Sequence, residues 1–107
     1  MELQKPFTDF FTAIDKDYRI STTHIGIYAA LLQFWLLKGF VLPIRAYRYE
    51  IMNIAKISAP YTYHKCMREL NEYGYIIYVP TRKRNQRSTI YFPITQSTTN
   101  PNLELIS

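Results

Sequence analysis

Cysteine is nearly missing: Cys66 is the only one in 107 residues. A lone cysteine cannot close an internal disulfide, and it cannot supply the paired thiolates of a zinc finger. That usage fits a reducing compartment, and a cytoplasmic protein is expected. Glycine is scarce too, and Gly26, Gly39 and Gly74 stand far apart. Isolated glycines exclude the clustered turns that cradle phosphates in nucleotide-binding enzymes. Long apolar runs are absent as well. The longest, Ile25–Leu37, is thirteen residues, contains Gln33 and is closed by Lys38-Gly39. A bilayer span needs about 18 or more such residues, so no membrane segment is expected. The opening Met1-Glu-Leu-Gln-Lys-Pro6 also lacks the basic-then-apolar layout of a secretory signal.

Catalytic and metal constellations are equally thin. The acids are scattered, and Asp15 and Asp17 fall in a turn, so no carboxylate pair is set for acid–base work. His64 and Cys66 are two positions apart on a predicted helix and point in divergent directions. His24 is remote in sequence, and no third ligand is evident. The expectation is therefore no enzyme, no cofactor and no metal, with Cys66 a small core residue.

What is present is apolar and aromatic material, 48% of the chain, including ten Tyr and six Phe. That suffices for one folded domain with a modest core. Charge is unevenly placed. Residues 1–44 balance, with Lys5, Lys16, Arg19 and Lys38 against Glu2, Asp9, Asp15 and Asp17. From Arg45 to Ile94, nine Lys/Arg face only Glu50, Glu69 and Glu72, leaving six net positive charges. The tail adds Glu104, which returns the total of +5. Positive charge confined to one segment is the footprint of a polyanion binder.

Periodicity gives the elements. Pro6 with Phe7, Phe10, Phe11 and Ile14 predicts a helix over about 5–15. Ser21 and Thr22 are N-cap candidates for a second helix running to Lys38, stopped by Gly39. This helix is apolar on nearly every face and must be covered on most of its circumference. In so small a domain a partner subunit is a natural source of cover, so a homodimer through helix 21–38 is expected. Phe40–Ile44 reads as a short edge strand because of Pro43. Tyr47–Ala55 reads as a helix, Lys56-Ile-Ser58 as a turn, and a further helix follows, capped by Ser58 or Ala59, of which Ser58 is chemically better, with Pro60 in its first turn.

In that helix Tyr63, Cys66, Met67 and Leu70 form the inward face. Tyr61, His64, Lys65 and Arg68 lie opposite, with Thr62 near the N-terminal end. Gly74 ends the helix. Tyr75–Thr81 and Ser88–Ile94 have strand composition, and Arg82-Lys-Arg-Asn-Gln-Arg87 becomes the hairpin tip between them. The domain expected is residues 1–94, with helices over 5–38, a helix-turn-helix over 47–73 and a hairpin over 75–94. Residues 95–107 read as a flexible tail.

Ile51-Met-Asn-Ile-Ala-Lys-Ile-Ser58, Thr62-Tyr-His-Lys-Cys-Met-Arg-Glu-Leu70 and Gly74-Tyr-Ile76, followed by two strands around a basic loop, resemble the winged helix-turn-helix superfamily. The resemblance covers residues 40–94 and is nearest to short regulators of bacterial mobile elements. It implies a mainly α fold with a small β-hairpin, α+β in class. It also implies sequence-specific binding of double-stranded DNA, with the second motif helix in the major groove and the wing along the backbone.

Carried across by position, it puts Pro60, Tyr61, Thr62, His64, Lys65 and Arg68 on the groove-facing surface. Arg82, Lys83, Arg84 and Arg87 fall on the wing. The chain departs from the pattern in a turn after Ile57 that is one residue longer, and in Ala59 where Ser or Thr is common. A transcriptional regulator is the first expectation. The alternative is a DNA-binding or protein-docking accessory of a replication, excision or mobilisation complex, with helix 21–38 as its main contact surface.

Overall fold

The chain folds as α1 (Gln4–Ile14), α2 (Thr22–Leu37), β1 (Ile44–Ala46), α3 (Arg48–Ala55), α4 (Pro60–Glu72), β2 (Ile77–Val79) and β3 (Ser88–Tyr91). This is a computed structural model, and it describes residues 4–83 and 86–93, with side chains from Thr8 onward. The class is α+β. The β component is a three-stranded antiparallel sheet in the order β1-β3-β2, larger than the expected hairpin because β1 joins it.

The apolar helix α2 is the central post. Ser21 caps it reciprocally: its Oγ accepts the His24 N–H at 3.4 Å, and its own N–H donates to His24 Nδ1 at 2.9 Å. Ile27, Tyr28, Ala30, Leu31, Leu32, Phe34 and Trp35 are all buried. Phe10 of α1 stacks on Tyr28 at 3.8 Å, and Phe92 reaches both Tyr28 and Trp35. From the other sides α3, α4 and β1 pack on the same helix. The chain thus covers most of α2 by itself. A partner subunit, the expected source of that cover, is left only the remaining exposed strip. What stays exposed is a strip through Ala29 and Gln33 that widens into Leu36 and Leu37. No helix among the described residues is long and apolar enough to cross a membrane.

Strand boundaries differ from the expected ones for reasons of hydrogen bonding. Gly39 (φ +80°) and Phe40 (φ +63°) both take left-handed backbone, so Phe40 cannot begin a strand. Pro43 has no N–H to give a ladder, and β1 starts one residue after it. Register is Ile44 opposite Ile90 and Ala46 opposite Ser88. At the start of β2, the Tyr75 and Ile76 N–H groups are turned back to the Leu70 carbonyl at 2.9 and 3.4 Å, closing α4. Pro80 stops the strand at its other end. β2 is an edge, and its outward Tyr78 N–H is satisfied by Asn71 Oδ1 at 2.8 Å. Ile94 and the expected tail 95–107 lie outside the described residues.

The caps divide in the same way. Tyr47 is the N-cap of α3, and its N–H donates to Glu50 Oε1 at 2.8 Å. Lys56 ends α3 in left-handed backbone, φ +63°. At α4 the cap position is Ala59 and not Ser58, with Pro60 next and no side-chain cap bond. Ser58 stands one position before the cap, too early for its hydroxyl to serve there.

Candidate nucleic-acid interface

Inward burial of Tyr63, Cys66, Met67 and Leu70 fixes the rotation of α4. At 100° per residue, that leaves Tyr61, Lys65, Arg68 and Glu72 along the outward ridge. All four are exposed, Tyr61 at 72%. His64 falls to one flank of this ridge, and Thr62 and Glu69 to the other. The two flanks have different chemistry.

On the His64 flank lies a cleft of about 650 Å³. Its walls are Tyr47, Arg48 and Tyr49 at the start of α3, His64 of α4, Tyr78 of β2, and Pro80, Thr81, Arg82, Lys83, Gln86 and Ser88 from the β2–β3 region. Among the described residues no carboxylate lines it. The loop is folded on itself: the Lys83 N–H donates to Thr81 Oγ1 at 3.2 Å, and Thr81 Oγ1 donates to Gln86 Oε1 at 3.2 Å. Tyr47 and Tyr49 stack at 5.3 Å, and the Arg87 guanidinium sits over the Tyr47 ring at 4.9 Å. That cation–π contact holds Arg87 against α3. Burial, with the Arg48 and Arg68 cations nearby, holds the His64 imidazole below its ordinary pKa. The protein therefore offers a positive surface here without using the histidine's charge.

On the Thr62 flank charges are paired. Lys65 Nζ meets Glu69 Oε2 at 3.1 Å, four residues on in the same helix. Glu69 Oε1 accepts from His24 Nε2 at 2.8 Å. Because the Ser21 N–H occupies Nδ1, the ring proton of neutral His24 belongs on Nε2. The Lys65 ammonium, then His24, hold the Glu69 carboxyl below its usual range. Cys66 lies beside this pair, and burial raises its thiol pKa.

The structure thus brings together His64, Arg82 and Lys83, and it puts Tyr61, Lys65 and Arg68 on the adjacent ridge. Thr62 faces away from the cleft, toward α2. Arg68 has no ion-pair partner among the described residues, so the intrahelical pairing with Glu72 open to it is not made. Arg87 joins the cleft's edge through Tyr47. Arg84 lies outside the described residues. Lys65, expected on the groove-facing surface, lies on the outward ridge with its ammonium tied to Glu69.

Two sets of residues escaped the sequence reading. Arg48, Tyr47 and Tyr49 enter the cleft because α3 begins directly after β1, which aims its first turn at the loop. Their only sequence signal was the Tyr-Arg-Tyr run at a helix start. The meeting of His24 with Glu69 and Cys66 had no local signal, since it depends on how α2 crosses α4.

No protein-family model matches the chain, and neither a curated protein nor a solved structure matches it.

Proposed function

We propose that the protein is a winged helix-turn-helix binder of double-stranded DNA and acts as a small transcriptional regulator. Helices α3 and α4 form the helix-turn-helix, and the β2–β3 hairpin is the wing. The observation that carries this reading is the cleft, without an acid among its described residues, that joins Arg48, His64, Arg82 and Lys83 beside the outward ridge of α4. A duplex backbone presents closely spaced phosphates, and such a surface neutralises them without desolvating any paired acid. The uncapped first turn of α4 adds main-chain donors suited to a phosphate oxygen. Tyr61 and Arg68 are the ridge residues free to reach base edges. Arg82, Lys83, Arg84 and Arg87 position the wing and carry no sequence information. A homodimer, if two half-sites are read, would form through the exposed end of α2, where Leu36, Leu37 and the following Val41 are exposed.

A second reading is favoured by the Lys65–Glu69 pair and by exposed Glu72 on the same ridge. They reduce the number of groups free to read bases. An accessory protein that binds nucleic acid without strong sequence preference fits that ridge. Binding to genomic fragments, at low and raised salt and with non-specific competitor, separates the two. A regulator retains a selected subset of fragments at the higher salt, whereas an accessory protein loses nearly all of them together. Absence of binding at low salt would overturn both.

A further inference from the structure

The Thr62 flank holds a group of side chains that the nucleic-acid reading does not use. His24 stands in the first turn of α2, while Cys66 and Glu69 are three apart on α4. Their ligating atoms all lie within 4.8 Å of one another. They face a recess of about 490 Å³, whose walls also include Ser21, Thr23, Thr62 and Tyr73. His24 and Cys66 are buried, and Glu69 is half-buried. Imidazole, thiolate and carboxylate together make up the borderline-soft donor set of zinc.

We propose that His24, Cys66 and Glu69 bind a divalent transition-metal ion, zinc being the best match, and that the ion staples the start of α2 to α4. Bond lengths of about 2.0–2.3 Å place tetrahedral ligands roughly 3.5 Å apart. From a separation of up to 4.8 Å the widest pair closes by about 1.3 Å, and His24 Nε2 and Glu69 Oε1, now 2.8 Å apart, open by about half an ångström, shifts within reach of side-chain rotations. The fourth position opens on the recess and takes a water molecule.

Proton balance is simple. Cys66 releases its thiol proton to solvent and binds as thiolate. The His24 proton leaves Nε2, which becomes the ligand, and Nδ1 takes a proton and donates to Ser21 Oγ, 2.8 Å away. That bond fixes the ring, as the outer partners of metal-bound histidines do. The Ser21 N–H gives up Nδ1 and turns to water, since Ser21 is exposed. Glu69 moves Oε1 from His24 to the metal and keeps Oε2 on Lys65. Two cations stand nearby and oppose the ion, but both are already matched. Lys65 is held by Glu69, and Arg19 is held by Asp17 at 2.8 Å.

Cobalt(II) is the probe, added to the metal-stripped full chain and followed by visible absorption. The expected result is saturation at one equivalent, with strong tetrahedral bands and a thiolate-to-cobalt charge-transfer band, all bleached by zinc. Cys66→Ser should remove the charge-transfer band. Glu69→Gln should keep it and weaken cobalt binding by about tenfold or more. Weak octahedral bands without charge transfer in the parent protein would overturn the proposal. So would an unchanged spectrum in Cys66→Ser. If Cys66→Ser does not fold, the parent spectrum and Glu69→Gln decide. None of these readouts involves nucleic acid, so the site stands or falls separately from the proposed function.

Discussion

His24 Nε2 donates to Glu69 Oε1 at 2.8 Å across forty-five positions of sequence, fixing the first turn of α2 against α4. The donor is buried, and Glu69 is the acceptor it uses among the described residues. Glu69→Ala should therefore cost about 1–3 kcal/mol, the penalty of an unsatisfied buried polar group. Glu69→Gln, which still presents a carbonyl oxygen, should recover most of it. Urea denaturation of metal-free protein checks the order parent, Gln, Ala. An Ala variant as stable as the parent would show that the bond contributes nothing.

The β2–β3 loop and the α4 ridge should separate in binding assays. Arg82→Ala and Lys83→Ala are expected to weaken every duplex alike and each to reduce the salt slope by about 0.9. Tyr61→Ala and Arg68→Ala should also change which sequence is preferred, with a loss of about 1–3 kcal/mol at the best site where a base contact goes. Competition binding against a randomised duplex pool gives both quantities. A uniform loss from all four variants would leave no base-reading role for α4.

A third prediction concerns pH. The Asp17 carboxylate accepts from Arg19 Nε and Nη2 at 2.8 Å each and from the Tyr75 hydroxyl at 2.6 Å. The Arg19 hydrogen bonds first, then Tyr75, hold its pKa well below the usual carboxylate range. A depressed folded-state pKa adds stability above the unfolded value near 4 that is lost as pH falls below it. Burial and Asp17 push Tyr75 up to about 12. A raised pKa adds stability that is complete below the unfolded value of about 10 and lost between there and the folded value. Tyr75→Phe should flatten the alkaline limb and reduce the slope of the acid limb. Thermal melts from pH 3 to 11 (roughly the window bounded by those reference values) measure both limbs.

Association can be tested at one residue. Leu37 is 66% exposed at the end of α2, next to Leu36 and close in sequence to Val41, 62% exposed. Leu37→Glu should leave the fold intact and convert any dimer to monomer. Sedimentation of parent and variant reads the mass directly. Equal masses would remove this surface from consideration.

Much of the helical framework could be read from residue chemistry. The inward set Tyr63, Cys66, Met67 and Leu70 follows from spacing alone, and all four are buried. Ser21 capping α2 was equally visible. Failures occurred where a residue's role depends on its partner. Ser58 is the better capping chemistry, yet the turn geometry assigns the position to Ala59. Tyr75 has strand composition, but its N–H belongs to the end of α4. Hydropathy marked helix α2 as needing cover on most of its circumference but cannot say how many elements of the same chain will supply it. At the interface, Arg82, Lys83 and His64 were legible as a charged loop and a helix face. The contributions of Arg48 and Tyr49 were not, since they come from an element on the other side of the cleft.

The sheet order carries a consequence for synthesis of the chain. β3 lies between β1 and β2 and is the last strand among the described residues, so neither neighbour has a sheet partner until residue 91 has left the ribosome. Before then, two short ribbons with open edges wait beside a finished set of helices. A stop codon placed just upstream of Ser88 should therefore yield a product that keeps its helical signal but aggregates, because the strand that conceals both edges is never made.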